Sequence, residues 1–151
     1  MNKTLVKTVQ SEEAMLALGK RLAAALQPGA FVCLNGELGA GKTVLVRGAA
    51  SVLGIDTVAS PTFTIVQEYP TEPPFFHFDV YRIADFDELY AIGFEDYLAR
   101  NGLLFMEWSC LVPEALPAER LEIQISGSGE EARTVCFTAY GSLYEEVLER
   151  L

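Results

Sequence analysis

The feature of this chain that most restricts its fold is an eight-residue segment, GELGAGKT, at residues 36–43. It matches the phosphate-binding loop pattern G-x-x-x-x-G-K-[ST] at every fixed position. The apolar run at residues 30–34 is typical of a buried strand, and residues 43–53 carry apolar side chains at helical spacing. A strand, a glycine-rich turn and a helix in this order predict a phosphate-binding loop in an α/β domain.

The chemistry of the segment explains how it would hold phosphate. Glycines let the backbone turn tightly with its N–H groups around phosphate oxygens, and the following helix adds unpaired N–H groups and partial positive charge. Lys42 is expected to reach the β- and γ-phosphates, and the Thr43 hydroxyl is expected to bind Mg²⁺. We therefore predict a nucleotide site rather than a glycine-rich turn that binds nothing. The predicted nucleotide-contacting residues of the loop are Glu37, Leu38, Gly39, Ala40, Gly41, Lys42 and Thr43.

Length and composition predict one globular domain over residues 1–151, since half of the residues are hydrophobic and no repeat appears. The net charge of −10, from 21 acidic and 11 basic residues, disfavours unaided binding to nucleic acid or to an anionic membrane. Three cysteines without C-x-x-C spacing indicate a reducing compartment, and the N-terminus lacks the apolar core of a signal peptide. A cytoplasmic location is therefore expected.

Hydrophobic periodicity and turn residues predict the remaining elements. Strands are expected at 4–9, 30–34, the second half of 60–69, 75–82, 103–107, 120–126 and 132–138, and helices from 11 to 26, 43 to 53, 85 to 93, 94 to 98 and 142 to 151. This order predicts a three-layer α/β fold with a mixed, mainly parallel central sheet and antiparallel edge strands. The first strand is expected at an edge, and the last two are expected as a hairpin added to the sheet's edge.

A second buried strand is predicted at residues 103–107, where four apolar residues precede Glu107. Ligands of open α/β sheets bind at the carboxyl ends of the strands. In phosphate-loop enzymes an acid at this position orders Mg²⁺, so Glu107 is the candidate metal ligand beside Thr43. The alternative is a surface acid at a strand end. Trp108 either flanks the nucleotide or covers the core.

The strand at residues 75–82 alternates, with apolar side chains on one face and His77, Asp79 and Tyr81 on the other. Polar groups on a buried face need partners. Asp79 is therefore a candidate neighbour of Mg²⁺ or of the attacking water. His77 is the only histidine, which argues against a histidine metal site or a Ser-His-Asp triad, and we interpret it as a hydrogen-bonded structural residue.

Residues 60–64, SPTFT, form a turn rich in hydroxyl groups before the third strand. In phosphate-loop enzymes such a segment often orders around the γ-phosphate and Mg²⁺. An ordinary Ser-Pro turn at the start of a strand is the alternative.

Together, the loop at 36–43, SPTFT at 60–64, HFDVYR at 77–82 and the Glu107-Trp108 pair resemble the TsaE family of bacterial P-loop ATPases. The resemblance implies an ATPase that works with the partner subunits TsaB and TsaD in threonylcarbamoyladenosine (t6A) modification of tRNA. It implies that Lys42 and the loop backbone hold phosphates and that Thr43 and Glu107 bind Mg²⁺. It further implies that Asp79 is needed for activity. The segment 60–64, with Thr62, is then a nucleotide-responsive turn, and base contacts are expected near Gln10 and Gly129.

The mechanism expected from these residues is Mg²⁺-dependent ATP hydrolysis by positioning and charge stabilisation. Lys42 would stabilise charge on the transferred phosphoryl group, and either Asp79 or Glu107 would orient the water. No arginine is obviously placed as a finger, although Arg47 and Arg82 are candidates, so slow turnover that depends on partner proteins is expected. The alternative is a small-molecule kinase with the same loop. Such a kinase usually has a mobile lid whose arginines close over ATP, and no arginine cluster of that kind occurs in the sequence. A GTP switch is disfavoured because the sequence contains no Asn-Lys-x-Asp. Given the acidic charge, tRNA is expected to be met only through partners.

Overall fold

The computed structural model describes residues 2–59 and 65–151, and every structural statement below concerns these residues. The strands are β1 (Lys3–Val9), β2 (Phe31–Gly36), β3 (Val66–Tyr69), β4 (Phe75–Asp79), β5 (Leu103–Glu107), β6 (Arg120–Ser126) and β7 (Arg133–Tyr140). The helices are α1 (Glu12–Ala25), α2 (Lys42–Ser51), α3 (Phe86–Ala91), α4 (Phe94–Ala99) and α5 (Ser142–Glu149), with short 3₁₀ turns at Ser109–Leu111 and Pro113–Ala115.

The seven strands form one mixed sheet in the order β1-β7-β6-β2-β5-β4-β3. The four central strands, β6, β2, β5 and β4, are parallel, whereas β1, β7 and β3 pair antiparallel at the two sides. This confirms the predicted α/β fold with a parallel centre. The hairpin of β6 and β7 does not form the edge itself, because β1 pairs along β7 over seven residues and covers its backbone groups.

Two hydrophobic clusters lie on opposite faces of the sheet, which makes the fold three-layered. Val32 and Leu34 of β2 belong to the cluster covered by α1, α2 and α5, while Phe31 and Cys33 belong to the cluster covered by α3 and α4. Strand β2 is therefore buried on both faces, as its continuous apolar sequence predicts.

Several elements end one to three residues earlier than the sequence predicts, and two of them, β4 and α2, lie next to the predicted site. Strand β4 ends at Asp79 rather than at residue 82, because the Val80 N–H bonds to the Glu107 carbonyl and the chain then turns, with Ile83 N–H bonding back to Val80. Helix α2 ends at Ser51, and a turn follows in which Gly54 adopts a φ of 82°. Neither difference changes which residues reach the carboxyl edge of the parallel strands.

Helices α1 and α2 approach closely at two glycines. A Cβ atom on Gly48 would lie 2.2 Å from the Leu16 carbonyl oxygen, and one on Gly19 would lie 2.3 Å from the Leu45 carbonyl oxygen. This contact fixes the helix that follows the loop against the helix that follows β1. Within the described part of the chain, no helix has the length and apolar character required to cross a bilayer.

Candidate active site

The segment at residues 36–43 connects the end of β2 to the start of α2 at the carboxyl edge of the parallel strands. Glycine is required at both ends of this turn. Gly36 has a φ of 154°, and a Cβ there would lie 2.4 Å from the Ile125 carbonyl oxygen; Gly41 caps α2 with a φ of 109°. Backbone N–H groups at the start of the ten-residue helix α2 therefore face the loop.

Lys42 is the first residue of α2, and its side chain lies against the first residues of the loop. Its Nζ donates hydrogen bonds to the carbonyl oxygens of Gly36 at 2.5 Å and Glu37 at 3.0 Å, and lies 4.4 Å from the centre of the Trp108 ring. Burial lowers the pKa of Lys42, while the negative charges of Glu107, Asp79 and Glu37 oppose that shift. A buried ammonium group at this point is suited to bind an anion of high charge.

Thr43 and Glu107 meet although they are 64 residues apart. Glu107 ends β5, which pairs in parallel with β2, and its register partner is Leu34. The Thr43 hydroxyl donates to Glu107 Oε2 at 3.2 Å, with Oε1 at 3.5 Å. Glu107 is 3% exposed, so a buried carboxylate lies beside the hydroxyl oxygen of the last residue of the loop.

Asp79 ends the neighbouring strand β4 and is the register partner of Glu107. Its Oδ1 accepts a hydrogen bond from the Tyr81 N–H at 3.0 Å. Burial raises the pKa of Asp79 above its usual range, and the nearby Glu107 charge acts in the same direction. Asp79 lines one cavity of about 290 Å³ together with Lys42, Thr43 and Glu107, hereafter the phosphate cavity.

A second cavity of about 440 Å³ lies on the other side of the loop. It is lined by Gln10 and Val44 and by the turn between β6 and β7, including Gly129. Gly39 and Gly41 line both cavities, so the loop forms the wall between them. We call this second space the base cavity, because Gln10 and Gly129 are the two residues predicted near a nucleotide base.

The chain is similar to known proteins over almost its whole length. The model of the family described as "Threonylcarbamoyl adenosine biosynthesis protein TsaE" matches residues 9–135. The chain belongs to the TsaE family. A TsaE protein of Bacillus subtilis is 43% identical over 96% of this chain and 91% of its own length, and a TsaE protein of Haemophilus influenzae is 34% identical over 96% of each. The crystal structure of B. subtilis YdiB superposes with a TM-score of 0.84 at 38% identity, covering 99% of this chain and 94% of that one.

One residue of this TsaE-family site that sequence reasoning missed is Arg133, at the start of β7. Its guanidinium donates to the carbonyl oxygens of Ala40 at 3.0 Å, Gly39 at 3.3 Å and Gly129 at 3.0 Å, and also to that of Glu131. It therefore ties the turn of the hairpin to the loop across the base cavity. An arginine beginning a strand of alternating polarity gives no local signal of such a role.

Asn35 was also missed, although a polar residue at the end of an apolar strand is a usable signal. Its Oδ1 accepts from the Cys110 N–H at 3.0 Å, and its Nδ2 donates to Ser109 Oγ at 3.1 Å. These bonds tie the end of β2 to the turn after Glu107. Trp108, in that turn, adopts a left-handed φ of 64°.

The remaining candidates have different positions. Trp108 contacts the half-exposed Tyr81, with ring centres 4.6 Å apart; it lines the phosphate cavity and also packs against the hydrophobic cluster covered by α3 and α4. Arg47 lies on the surface within 3.5 Å of Glu12 Oε1, and neither Arg47 nor Arg82 lines the phosphate or the base cavity. Thr62 and the rest of the segment 60–64 lie outside the described residues.

Proposed function

We propose that this member of the TsaE family is a Mg²⁺-dependent ATPase that converts ATP and water to ADP and phosphate in the service of t6A modification of tRNA. The observation that carries the proposal is the contact of the Thr43 hydroxyl with the buried Glu107 carboxylate, 3.2 Å away, beside Lys42. Two oxygen groups that could bind Mg²⁺ thus lie beside the lysine of the phosphate-binding loop pattern.

The phosphates of ATP would lie in the loop at the N-terminus of α2. Backbone N–H groups and the positive end of the helix would bind the phosphate oxygens. Lys42 Nζ now donates to the carbonyl oxygens of Gly36 and Glu37, and phosphate oxygens in the cavity would take over its remaining donor capacity. Lys42 would then stabilise negative charge on the transferred phosphoryl group.

Thr43 Oγ1 and Glu107 are the residues that would hold Mg²⁺. The donor set suits this ion, which prefers oxygen ligands and is usually bound by one or two protein groups together with phosphates and water. When bound, Mg²⁺ would neutralise phosphate charge and align the phosphates.

Asp79 is the better candidate of the two acids for orienting the attacking water. Both oxygens of Glu107 lie within 3.5 Å of Thr43 Oγ1, and Oε2 also contacts His77. Asp79 lines the same cavity from the next strand, and its raised pKa makes it a stronger proton acceptor than a surface carboxylate.

The base of ATP would occupy the base cavity beside Gln10 and Gly129. A volume of about 440 Å³ accommodates a purine and ribose adjoining the loop. Thr62 is proposed from the sequence as a further nucleotide contact. Ile65, which follows that segment, accepts a hydrogen bond from the Asp79 N–H at 2.8 Å.

The proposed setting is the cytoplasm, with TsaB and TsaD as partner subunits. The net charge of −10 favours contact with tRNA through those partners. Neither Arg47 nor Arg82 lines the phosphate cavity, which supports slow hydrolysis by the chain alone. Adding the two partners should raise the turnover rate, whereas retention of tRNA by the isolated chain at physiological salt would contradict this arrangement.

The direct test is phosphate release from ATP by wild type, Lys42→Ala, Glu107→Ala and Asp79→Asn, with and without Mg²⁺. Each variant and removal of Mg²⁺ should suppress hydrolysis, while Lys20→Ala, at an exposed position of α1, should match wild type. Wild-type rates in Lys42→Ala and Glu107→Ala would refute the proposal.

A further inference from the structure

We infer that His77 is a positioning residue for the site: its Nε2–H holds the Glu107 carboxylate in the orientation that binds the metal ion. The inference rests on the proposed function. His77 does not line the phosphate cavity and acts only through Glu107.

The contact lies between two neighbouring parallel strands. His77 is in the middle of β4, its register partner is Phe105 on β5, and Glu107 follows two residues later on the same strand. His77 Nε2 lies 2.5 Å from Glu107 Oε2. The histidine is fully buried and the glutamate nearly so, which leaves little room for water between the ring and the carboxylate.

The arrangement determines which ring nitrogen carries the proton. His77 Nδ1 is buried and has no hydrogen-bond partner among the described residues. A buried N–H without an acceptor is more costly than a buried lone pair facing the same surroundings. The tautomer with hydrogen on Nε2 therefore fits the site, since that hydrogen faces the carboxylate.

Both carboxylate oxygens lie within hydrogen-bond reach of Thr43 Oγ1, and His77 contacts only Oε2. Oε1 has a single described contact, with Thr43 Oγ1 at 3.5 Å. A carboxylate held from the core side by one donor keeps its orientation when the Thr43 hydroxyl changes partners. Outer groups that hold a metal ligand in this way are common, and their loss weakens metal binding without removing the ligand.

The test separates this role from a purely structural one by measuring the gain in nucleotide affinity that Mg²⁺ provides. Binding of a non-hydrolysable ATP analogue, followed by calorimetry, is compared in EDTA and in Mg²⁺ for wild type, His77→Met and His77→Gln. His77→Met should lose about 10- to 100-fold of the Mg²⁺-dependent gain, with little change in EDTA. His77→Gln, which keeps an N–H donor of similar reach, should recover most of it.

A matched control is Phe76→Leu, a buried change on the same strand that points into the other hydrophobic cluster. It should lower thermal stability without altering the Mg²⁺-dependent gain. A folded His77→Met variant with the full wild-type gain would overturn the inference. A wild-type protein that binds no nucleotide would instead overturn the proposed function.

A second measurement needs neither nucleotide nor a substitution of His77. His77 is the only histidine, so ¹⁵N NMR of labelled protein reports its ring without overlap. We expect the Nε2–H tautomer, with an Nε2 proton shifted far downfield that moves back in Glu107→Gln. A proton on Nδ1, or a ring signal insensitive to Glu107→Gln, would overturn the inference even if His77→Met failed to fold.

Discussion

The phosphate cavity and the base cavity share one wall, yet they are built differently. Side chains at the ends of two adjacent parallel strands, β4 and β5, and the loop that follows a third, β2, line the phosphate cavity, and Glu107 there is buried. The base cavity lies between the start of α1 and the turn of an antiparallel hairpin, where Arg133 binds backbone carbonyl groups. Under the proposed function, hydrolysis would take place at the rigid centre of the sheet, and the nucleotide base would be selected by loops at its side.

The difference has a physical origin. The carboxyl ends of parallel strands are brought together by the sheet itself, so a polar residue at each end reaches its neighbours without further support. A cavity formed by loops has no such template and depends on cross-links such as the Arg133 guanidinium. The predictions below test this contrast, beginning with the phosphate cavity.

The largest effect is expected from Glu107→Gln, which keeps the size of the side chain and removes its charge. The rate of ATP hydrolysis should fall about 10²- to 10³-fold, the range for loss of one preorganised electrostatic group. A phosphate-release assay measures this, with Glu146→Gln on the exposed face of α5 as the control. A loss below tenfold would place the metal-binding acid elsewhere.

Next is Gly48→Ala, at the close contact of α1 with α2, the helix that follows the loop. The new Cβ would lie 2.2 Å from the Leu16 carbonyl oxygen, so the helices must separate, at a cost of about 1–3 kcal/mol in unfolding free energy. Urea denaturation measures the loss, and Ala24→Ser on the exposed side of α1 should stay within about 0.5 kcal/mol of wild type. Unchanged stability would mean that the helix contact is looser than described.

A smaller effect is expected from Arg133→Met, which removes the tie across the base cavity. KM for ATP should rise about tenfold, equivalent to about 1.4 kcal/mol and on the scale of one hydrogen bond to a charged group. The value of kcat should remain near that of wild type, because the side chain does not line the phosphate cavity. Steady-state kinetics test this, with the exposed Arg21→Met as control. A fall in kcat at constant KM would contradict the assignment of separate roles to the two cavities.

The smallest effect concerns Asp79 in the absence of nucleotide and Mg²⁺. Because burial raises the pKa of Asp79, the folded protein binds this proton more tightly than the unfolded chain does. Its contribution to the unfolding free energy therefore falls as pH rises from the usual carboxyl range through the raised value. Asp79→Asn keeps an oxygen for the Tyr81 N–H and removes this dependence.

At neutral pH, Asp79→Asn should therefore melt slightly higher than wild type, by about 2 °C or less. Thermal melts at several pH values measure the difference, which should shrink toward low pH. Asp56→Asn, at an exposed position, should show no such trend. A lower melting temperature for Asp79→Asn at neutral pH would show that the carboxylate is stabilised in the folded state rather than strained.

The phosphate cavity and the base cavity also differ in how far their residues could be predicted from the sequence. The loop and the acids Asp79 and Glu107 were predicted as site residues because each stands in a local pattern at the end of an apolar strand. Gln10 and Gly129 were predicted only through a family resemblance, since 119 positions separate them and no local pattern links them. Arg133 escaped notice because its partners are backbone carbonyl groups, which leave no mark on the sequence.

Prediction of the fold from the sequence has a similar limit. Periodicity predicted the strands and the mixed sheet, but the pairing of β1 with β7 is a long-range choice that alternation alone does not encode. His77 was expected to be a hydrogen-bonded structural residue, and the structure shows it hydrogen-bonded and fully buried. Its partner, Glu107, depends on β4 lying beside β5, which the sequence leaves open.

The most direct test of the account is a crystal structure with a non-hydrolysable ATP analogue and Mn²⁺ in place of Mg²⁺, with the metal located by its anomalous scattering. The account predicts the phosphates inside the loop at residues 36–43 and one anomalous peak within coordination distance of Thr43 Oγ1 and the Glu107 carboxylate. Phosphates bound elsewhere, or a metal ion that touches neither residue, would contradict it.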